Sequence, residues 1–259
     1  MKNQSILTLA SSAEDKIKFF HSNFFKFLLS SMMAGVFCGL GMILAYTSAG
    51  SLIYYDATRG LAKLVFGISF ALSFTLITYA GSELFTGNLV VMTIGGLNKK
   101  VKLLDSLKLL VIVYCGNFLG ASLISIIIAF SGLLKNIETG SYIMMNTTMK
   151  MQLSFTESFF RGILCNMLVC LAVWCCSKLK SDCAKLIVLV WCVYGFCTSG
   201  FEHSIANMAL FAMGLMSPLK NESITILGYL NNIIPVTLGN IVGGCLFVGC
   251  VYYFINKEN

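Results

Sequence analysis

Long apolar stretches with almost no charge recur along this chain, and they limit its possible folds more than any other feature. Of its 259 residues, 57% are hydrophobic and 11% are charged, whereas a soluble domain has about 25% charged residues. That amount of charge is too small to cover the surface of a water-soluble domain. Because about 20 helical residues span the hydrocarbon core of a bilayer, the stretches predict membrane-spanning helices.

Six of these stretches can be delimited by charged or turn-forming residues. Their limits are about 27 to 50, 64 to 95, 106 to 132, 157 to 177, 184 to 217 and 229 to 255. We therefore predict an all-α membrane protein with six transmembrane helices in one domain, residues 26–256. Residues 1–25 mix apolar and charged side chains from about Ile6 to Phe25, which predicts a cytoplasmic amphipathic segment.

The basic residues are distributed unevenly between the two sides of these spans. Twelve lie on the side of the termini: Lys2, Lys16, Lys18, Lys26, Lys99, Lys100, Lys102, Lys108, Lys178, Lys180, Lys185 and Lys257. Six lie on the other side: Arg59, Lys63, Lys135, Lys150, Arg161 and Lys220. Since cytoplasmic loops are enriched in Lys and Arg, both termini are expected in the cytoplasm, with the chain in the inner (cytoplasmic) membrane.

The rest of the composition points away from other classes of protein. The eleven cysteines lie mostly in apolar stretches and form no paired C-x-x-C motifs. We interpret them as small hydrophobic residues in a reducing compartment, and expect no metal and no cofactor. The first 25 residues do not show the sequence of charged n-region, apolar h-region and small-residue cleavage site that marks a signal peptide. The net charge of +7 comes from basic residues in the short loops between spans, where the topology accounts for them. We therefore expect the lipid bilayer, and not nucleic acid, to be the partner.

Two pairs of matched motifs divide the chain into two halves, about 26–132 and 157–255. Gly81–Asn88 and Gly200–Asn207 share the pattern G-x-E-x-x-x-x-N, and Gly116–Gly120 and Gly239–Gly243 share G-N-x-x-G. The motifs follow in the same order at similar offsets, which argues against the alternative of chance similarity. Because three spans separate each motif from its copy, the second half is inverted relative to the first.

The first pair of motifs interrupts segments two and five, which are longer than one span requires. Glycine with ionisable residues inside a span predicts a broken helix, and corresponding breaks in two halves indicate a permeation path. Backbone polar groups freed by such a break cannot face lipid. We therefore expect helices two and five to be broken, with the breaks buried in protein or lining a cavity.

Four strings in the chain resemble those of the formate/nitrite transporter family: Gly81–Asn88, Cys165–Trp174, Ser199–Met208 and Ile234–Asn240. The resemblance covers essentially the whole chain, and strings of this length are more specific than a single glycine motif. It implies an aquaporin-like bundle of six helices per protomer. It also implies a homopentamer with one substrate pore in each protomer.

The resemblance further implies roles for individual polar residues. It places His203 at the centre of the pore and Thr86 opposite it. Glu202 and Asn166 match polar residues near the pore, and Lys150 matches a basic residue of the extracytoplasmic vestibule. These five residues are the predicted substrate-pore residues.

The resemblance also assigns apolar constrictions. Phe70 fits the outer constriction and Phe196 the inner one, and Leu84 and Phe74 complete the predicted set. Phe74, placed at the outer constriction, stands where formate channels of the family usually carry Leu. This departure looks like the hydrosulfide branch, whose anion HS⁻ is smaller, and it puts formate as the main substrate in doubt.

The chemistry of an anion path follows from the residues at the breaks. An anion entering a bilayer needs its hydration replaced, and the N–H groups at half-helix N-termini can supply this. His203 has an unperturbed pKa of about 6.5 and either donates a hydrogen bond to the anion or protonates it. The alternative is a core histidine with satisfied hydrogen bonds, although ionisable residues inside spans usually mark a functional path.

Other candidate residues have structural alternatives. Glu83 and Glu202 are expected to anchor the broken helices, because a bare carboxylate on the path would repel anions. Lys150 is either a solvated loop lysine or a residue that attracts anions. The phenylalanines could equally face lipid or the core. Asn117 and Asn240 are expected to bond across closely packed helices.

Together these features predict a channel for small monovalent anions, hydrosulfide first, with formate and nitrite also permeant. The alternative is a proton-coupled formate or nitrite transporter in which His203 changes charge in each cycle. A neutral-solute pore is disfavoured because the N-P-A signature is missing. We expect no enzyme: Ser204 and His203 point about 100° apart on a helix, and no catalytic motif is present.

Overall fold

The structure is a computed structural model that describes residues 2–219 and 221–257, and within them it contains helices and connecting turns but no strand. The prediction of an all-helical protein is confirmed. Lys220, counted above among the basic residues, lies outside the described residues. The helices are α1 (Lys2–Ser22), α2 (Phe24–Gly50), α3 (Asp56–Arg59), α4 (Ala62–Tyr79), α5 (Phe85–Leu97), α6 (Leu103–Phe130), α7 (Ile137–Met151), α8 (Phe155–Lys178), α9 (Asp182–Thr198), α10 (Ser204–Met216), α11 (Ile226–Val242) and α12 (Val251–Asn256).

Among the described residues, five helical stretches are long and apolar enough to cross a bilayer. They are Phe24–Ile53, Ala62–Tyr79, Leu103–Phe130, Phe155–Lys178 and Ile226–Asn256, where a π-helical segment, Gly243–Cys250, joins α11 to α12. The predicted segment 184–217 is divided between α9, with 17 residues, and α10, with 13. The predicted segment 64–95 is likewise divided between α4 and α5.

The outer surface of the bundle is apolar over whole helix faces. On α6 the exposed side includes Leu103 (74% exposed), Val111 (61%) and Phe130 (90%). Exposed apolar patches of this size mark contact with a membrane or with another subunit. The helices therefore place this chain in a bilayer.

Two helices lie outside the predicted spans. The N-terminal segment is helical, but Ile6, Leu9 and Ala13 are buried, and α1 packs mainly against α5. The region between the third and fourth predicted spans, expected to be a loop, contains helix α7, whose first turn is capped by the Asn136 side chain. Lys150 lies near the end of this helix, so its interpretation as a loop lysine is wrong.

Glycines allow the long helices to approach each other closely. A Cβ atom at Gly120 of α6 would overlap the backbone of Met32 in α2, and one at Gly239 of α11 would overlap the backbone of Phe159 in α8. Small residues at these positions let helix backbones pack together in a membrane. The second pair of sequence motifs thus marks two close helix contacts.

Replacing Gly120 by alanine is expected to destabilise the contact between α2 and α6. The added methyl group would meet the Met32 backbone, which cannot move aside as a flexible side chain can, and overpacking costs about 1–3 kcal/mol. The midpoint of thermal unfolding in detergent measures the effect. Gly96→Ala is the control, because Gly96 is exposed and has nothing within 4 Å of the new methyl. Equal midpoints for the two variants would contradict the prediction.

Candidate functional site

Two interruptions of matched length lie in the interior of the bundle. Helix α4 ends at Tyr79 and α5 begins at Phe85, and helix α9 ends at Thr198 and α10 begins at Ser204. Each interruption contains five residues, 80–84 in the first and 199–203 in the second, and the helix after each has 13 residues. Both breaks therefore present the N-terminus of a short buried helix.

A glycine turn ends the helix before each break. Gly81 has φ +76° and Gly200 has φ +73°, which is the left-handed conformation that glycine adopts without strain. The next residue in each case donates its N–H to the preceding helix, 3.0 Å from Ser82 N to Ile77 O and 3.0 Å from Phe201 N to Phe196 O. This is the bonding of a Schellman turn, so the two breaks share one local geometry.

Asn117 of α6 holds the first break by three hydrogen bonds. Its Oδ1 accepts the N–H of Phe85 at 2.9 Å, and its Nδ2 donates to the carbonyl oxygens of Ser31 at 2.7 Å and Glu83 at 2.8 Å. Asn117 is completely buried. The amide satisfies backbone groups that the break leaves without helical partners, which would otherwise cost about 1–3 kcal/mol each.

Asn240 of α11 holds the second break in the same way. Its Oδ1 accepts the N–H of Ser204 at 3.0 Å, and its Nδ2 donates to the carbonyl oxygens of Gly162 at 2.8 Å and Glu202 at 3.0 Å. Both amides thus bond across helices, and their bonds are all made within the protein. The structure places them as clamps on the breaks.

The carboxylate of Glu83, in the first break, lies in a pair with a lysine that the sequence analysis did not select. Lys16 Nζ lies 2.6 Å from Glu83 Oε1 and 2.5 Å from Oε2, and Asn88 Nδ2 donates to Oε2 at 2.8 Å. Lys16 comes from α1, 67 residues earlier in the chain. The only available sequence signal was a lysine in the predicted amphipathic segment, and three lysines lie in residues 1–25.

The carboxylate of Glu202, in the second break, has a matching partner in Lys150. Lys150 Nζ lies 2.5 Å from Glu202 Oε1, and Asn207 Nδ2 donates to Oε2 at 2.6 Å. Asn232 adds bonds that the first break lacks, donating to the Lys150 carbonyl oxygen at 2.8 Å and accepting from Asn207 at 2.9 Å. The side chain of Glu202 is 2% exposed. Glu83 and Glu202 therefore have bonds to the protein that suit anchors of the breaks.

His203 lies at the N-terminus of α10, and both of its ring nitrogens have partners. The backbone N–H of Ala206 donates to Nδ1 at 3.1 Å, and Nε2 lies 2.9 Å from Thr86 Oγ1. Because a backbone N–H can only donate, Nδ1 is an acceptor, and the proton of the neutral ring resides on Nε2. His203 then donates to Thr86, whose own hydroxyl hydrogen is free to donate further.

Two side chains of α8 hold the backbone of Thr86 in place. Asn166 Nδ2 donates to the Thr86 carbonyl oxygen at 3.3 Å and to that of Asn240 at 2.7 Å, and Cys170 Sγ donates to the Thr86 carbonyl oxygen at 3.3 Å. Thr86 and Asn166 are completely buried. The structure thus brings these residues together with His203, but neither Thr86 nor Asn166 lines the cavities beside it.

A cavity of about 370 Å³ opens next to His203, and we call it the Lys150 vestibule. Its wall includes Lys150, Glu202, His203, Phe70 and Phe196, and also Tyr46, Tyr142, Lys63 and Arg161. Beyond Phe70 and Phe196 lies a second, much smaller cavity of about 10 Å³. That volume holds about one water molecule, so the space beyond Phe70 and Phe196 is narrow.

The predicted constriction residues surround the small cavity but are arranged differently from the prediction. Phe70 and Phe196 line both cavities, and their ring centroids are 6.3 Å apart. Phe74 and Leu84 line only the small cavity. Assigning Phe196 to an inner constriction and Phe74 to the outer one is therefore wrong: Phe196 lies beside Phe70, and Phe74 lies with Leu84, farther from the vestibule. The ring of Phe196 also stacks on His203 at 5.8 Å.

The remaining cysteine, histidine and acidic side chains offer neither a disulfide nor a cluster of metal ligands among the described residues, where the cysteines are unpaired. All eleven cysteines are free thiols. In residues 2–219 and 221–257, no group of three or more His, Cys, Asp or Glu side chains is arranged to hold a metal ion. The chemistry of the site therefore depends on His203, Thr86 and the charged pairs.

Comparisons with known proteins agree on one family. The model of the formate/nitrite transporter family matches residues 3–254. The uncharacterised transporter YwcJ of Bacillus subtilis is 37% identical over 258 residues, covering 100% of both chains. The nitrite transporter NirC of Escherichia coli is 34% identical over 239 residues, covering 90% of this chain and 84% of NirC.

Two solved structures are also similar. A channel described as an FNT family ion channel has a TM-score of 0.89 and 32% identity, covering 97% of this chain and 98% of that one. A pentameric formate channel with formate bound has a TM-score of 0.79 and 30% identity, covering 90% of this chain and 98% of that one.

Replacing Lys150 by methionine is expected to destabilise the protein. Glu202 would remain as a buried carboxylate without its cation, and removing one partner of a buried pair costs about 3–5 kcal/mol. Because the Lys150 side chain is 22% exposed, the lower end of this range is expected. The midpoint of thermal unfolding in detergent measures the loss.

A second substitution separates this effect from a loss of packing. Adding Glu202→Gln to Lys150→Met removes the unpaired charge and should restore much of the midpoint. Lys135→Met, at an exposed lysine, is the control and should leave the midpoint unchanged. A double variant no more stable than Lys150→Met alone would contradict the charge explanation.

Proposed function

Because the chain belongs to the formate/nitrite transporter family, we propose that it is a membrane channel for small monovalent anions. Hydrosulfide is the proposed main substrate, and formate and nitrite are also permeant. The observation that carries this proposal is the position of His203. It stands between a vestibule with basic side chains and a narrow apolar ring, and it is bonded to Thr86 of the other break.

The proposed topology is an inverted repeat with six membrane crossings. The five long helices supply five crossings, and α9 with α10 supplies the sixth, as α4 with α5 does in the first half. The matched glycine turns, asparagine clamps and lysine–glutamate pairs support this repeat. With both termini cytoplasmic, the Lys150 vestibule opens on the outer side of the inner membrane.

The proposed assembly is a pentamer with one pore in each protomer. It rests on the similarity to the pentameric formate channel. The apolar outer faces described above then contact lipid or the neighbouring protomers.

The proposed path begins in the Lys150 vestibule. Basic side chains there raise the local concentration of anions. At Phe70 and Phe196 the anion loses water, because the space beyond admits about one water molecule. Apolar rings of this kind exclude hydrated ions by dewetting.

His203 and Thr86 compensate for part of the lost hydration. Hydrogen bonds and the positive end of the α10 dipole act where the anion is dehydrated. A neutral His203 with its proton on Nε2 suits donation of a hydrogen bond, directly or through the Thr86 hydroxyl. Protonating the anion instead would require His203 to take up a second proton first. The bond from Ala206 to Nδ1 therefore supports the hydrogen-bonding role over the proton-donating role.

The preference for hydrosulfide rests on the narrowness of the small cavity. Phe74 and Leu84 contribute to its wall, and a leucine at position 74 would leave more room than phenylalanine does. A small anion fits this space with less displacement of the rings than formate or nitrite does.

Substituting His203→Asn tests the role of the histidine. Asparagine keeps a donor but cannot titrate, so for a neutral, hydrogen-bonding His203 the ratio of variant flux to wild-type flux is expected to stay constant between about pH 5 and 8, where a free histidine titrates. Proteoliposome flux is measured with and without a pH gradient. The control is His21→Asn, since His21 is the only other histidine and its side chain is 55% exposed. A flux ratio that changes with pH in this range would contradict the hydrogen-bonding role.

Substituting Phe74→Leu tests the proposed selectivity. The shorter side chain is expected to raise formate flux relative to hydrosulfide flux on the order of tenfold, the scale at which a pocket discriminates by one small apolar group. Uptake of hydrosulfide, formate, nitrite and chloride is compared in the same proteoliposomes. Phe130→Leu, at a side chain that is 90% exposed, is the control. Comparable formate and hydrosulfide rates in the unmodified protein would overturn the preference.

A further inference from the structure

The small cavity beyond Phe70 and Phe196 leaves an anion on the proposed path with room for about one water molecule. Few polar groups reach this cavity. Among the described residues that line it, polar side-chain atoms come only from Cys38, Ser73 and His203. A thiol is a weak donor of hydrogen bonds, so an anion in this cavity depends on the His203 ring and the Ser73 hydroxyl.

The N–H of the neutral His203 ring is already used within the protein. Nδ1 accepts the backbone N–H of Ala206, and Nε2, which carries the proton, lies 2.9 Å from Thr86 Oγ1. An anion beside the ring has to compete with Thr86 for this donor, and Thr86 lines neither cavity. A donor that no protein group occupies is the more readily available partner.

Ser73 of α4 carries a hydroxyl of this kind. The residue is 2% exposed, and its Oγ makes no hydrogen bond with any described residue. Two residues later in the same helix, Thr75 Oγ1 donates to the carbonyl oxygen of Ala71 at 3.0 Å, which is the bond that a hydroxyl inside a helix can make to the preceding turn. Ser73 does not make the corresponding bond, so its hydroxyl hydrogen is free.

Helix α2 makes space for this hydroxyl without bonding to it. A Cβ atom at Gly41 of α2 would overlap Ser73 Oγ, and glycine has no polar side-chain atom to offer. A buried hydroxyl without a partner is unfavourable. Because the cavity has a volume of only about 10 Å³, whatever enters it touches its walls. The partner of the Ser73 hydroxyl therefore comes from inside the cavity.

The other half of the chain provides no equivalent hydroxyl. Ser73 lies six residues before the end of α4 at Tyr79, and Cys192 lies six residues before the end of α9 at Thr198. Cys192 does not line the small cavity. The matching position in α9 thus has neither the hydroxyl nor the contact with the cavity, so the repeat itself does not require a serine in α4.

We infer that the Ser73 hydroxyl donates a hydrogen bond to the partly dehydrated anion in the small cavity and so helps to set the rate of conduction. The ligands are small monovalent anions, so this inference rests on the proposed function and deepens it. A hydrogen bond to an anion is stronger than one between neutral groups. A hydroxyl adds no fixed charge, which suits conduction because the anion must also be able to leave.

Replacing Ser73 by alanine tests this inference in proteoliposomes that contain the whole channel. Formate and hydrosulfide fluxes are each expected to fall roughly tenfold, the lower end of what the loss of a hydrogen bond to a charged group costs. Alanine is smaller than serine, so an obstacle without a bonding role would give faster flux in the variant. The direction of the change therefore separates a hydrogen-bond donor from a steric constriction.

The thermal unfolding midpoint in detergent separates a role in conduction from a role in folding. Ser73→Ala should leave the midpoint unchanged or raise it, because the variant removes a buried hydroxyl that has no protein partner. Ser106→Ala is the matched control. Ser106 is 5% exposed, its Oγ also has no partner among the described residues, and it lines neither cavity beside His203. Its fluxes should equal those of the unmodified protein.

Equal or faster flux in Ser73→Ala would overturn the inference, and so would slower flux accompanied by a lower midpoint or an equal loss of flux in Ser106→Ala. These results leave the proposed anion channel standing, because the unmodified protein still conducts. If liposomes with the unmodified protein carry formate and hydrosulfide no faster than liposomes without it, the proposed function itself fails, which is a distinguishable result.

Discussion

The backbone groups released by a helix break inside a membrane must find partners within the protein, because lipid offers none. Each break leaves two sets of backbone groups without helical partners. They are the first N–H groups of α5 or α10 and the carbonyl oxygens of the non-helical residues before that helix. Asn117 and Asn240 satisfy three of these groups each. The rest of the site depends on these two amides, since they hold Glu83 and Glu202 and the first turns of α5 and α10.

The buried carboxylates impose a second requirement, which is neutralisation. An unpaired carboxylate in the interior would repel an anion and cost several kcal/mol. Lys16 comes from α1 and Lys150 from α7, two helices outside the predicted spans. These helices are therefore part of the site. They also explain how acidic residues can lie so close to a path proposed for anions.

The chemistry lies where the two halves differ. Leu84 and His203 occupy the same position, just before the short helix of each break, but only His203 caps its helix with a side-chain nitrogen. The backbone geometry of the break is thus repeated, but Leu84 provides an apolar side chain in one half and His203 provides an imidazole in the other.

The sequence by itself determined the all-helical membrane fold, the positions of the interruptions and the residues that anchor them. These features are local: apolar length, glycine conformation and the recurrence of Gly, Glu and Asn at fixed spacing. It could not pair Lys16 with Glu83, because 67 residues separate them and several lysines were equivalent candidates. It also misplaced Phe74 and Phe196 and left open whether Lys150 is a solvated loop residue. Which side of a helix faces a cavity, and which distant charge reaches a carboxylate, depends on how the helices pack, and only the tertiary structure decided that.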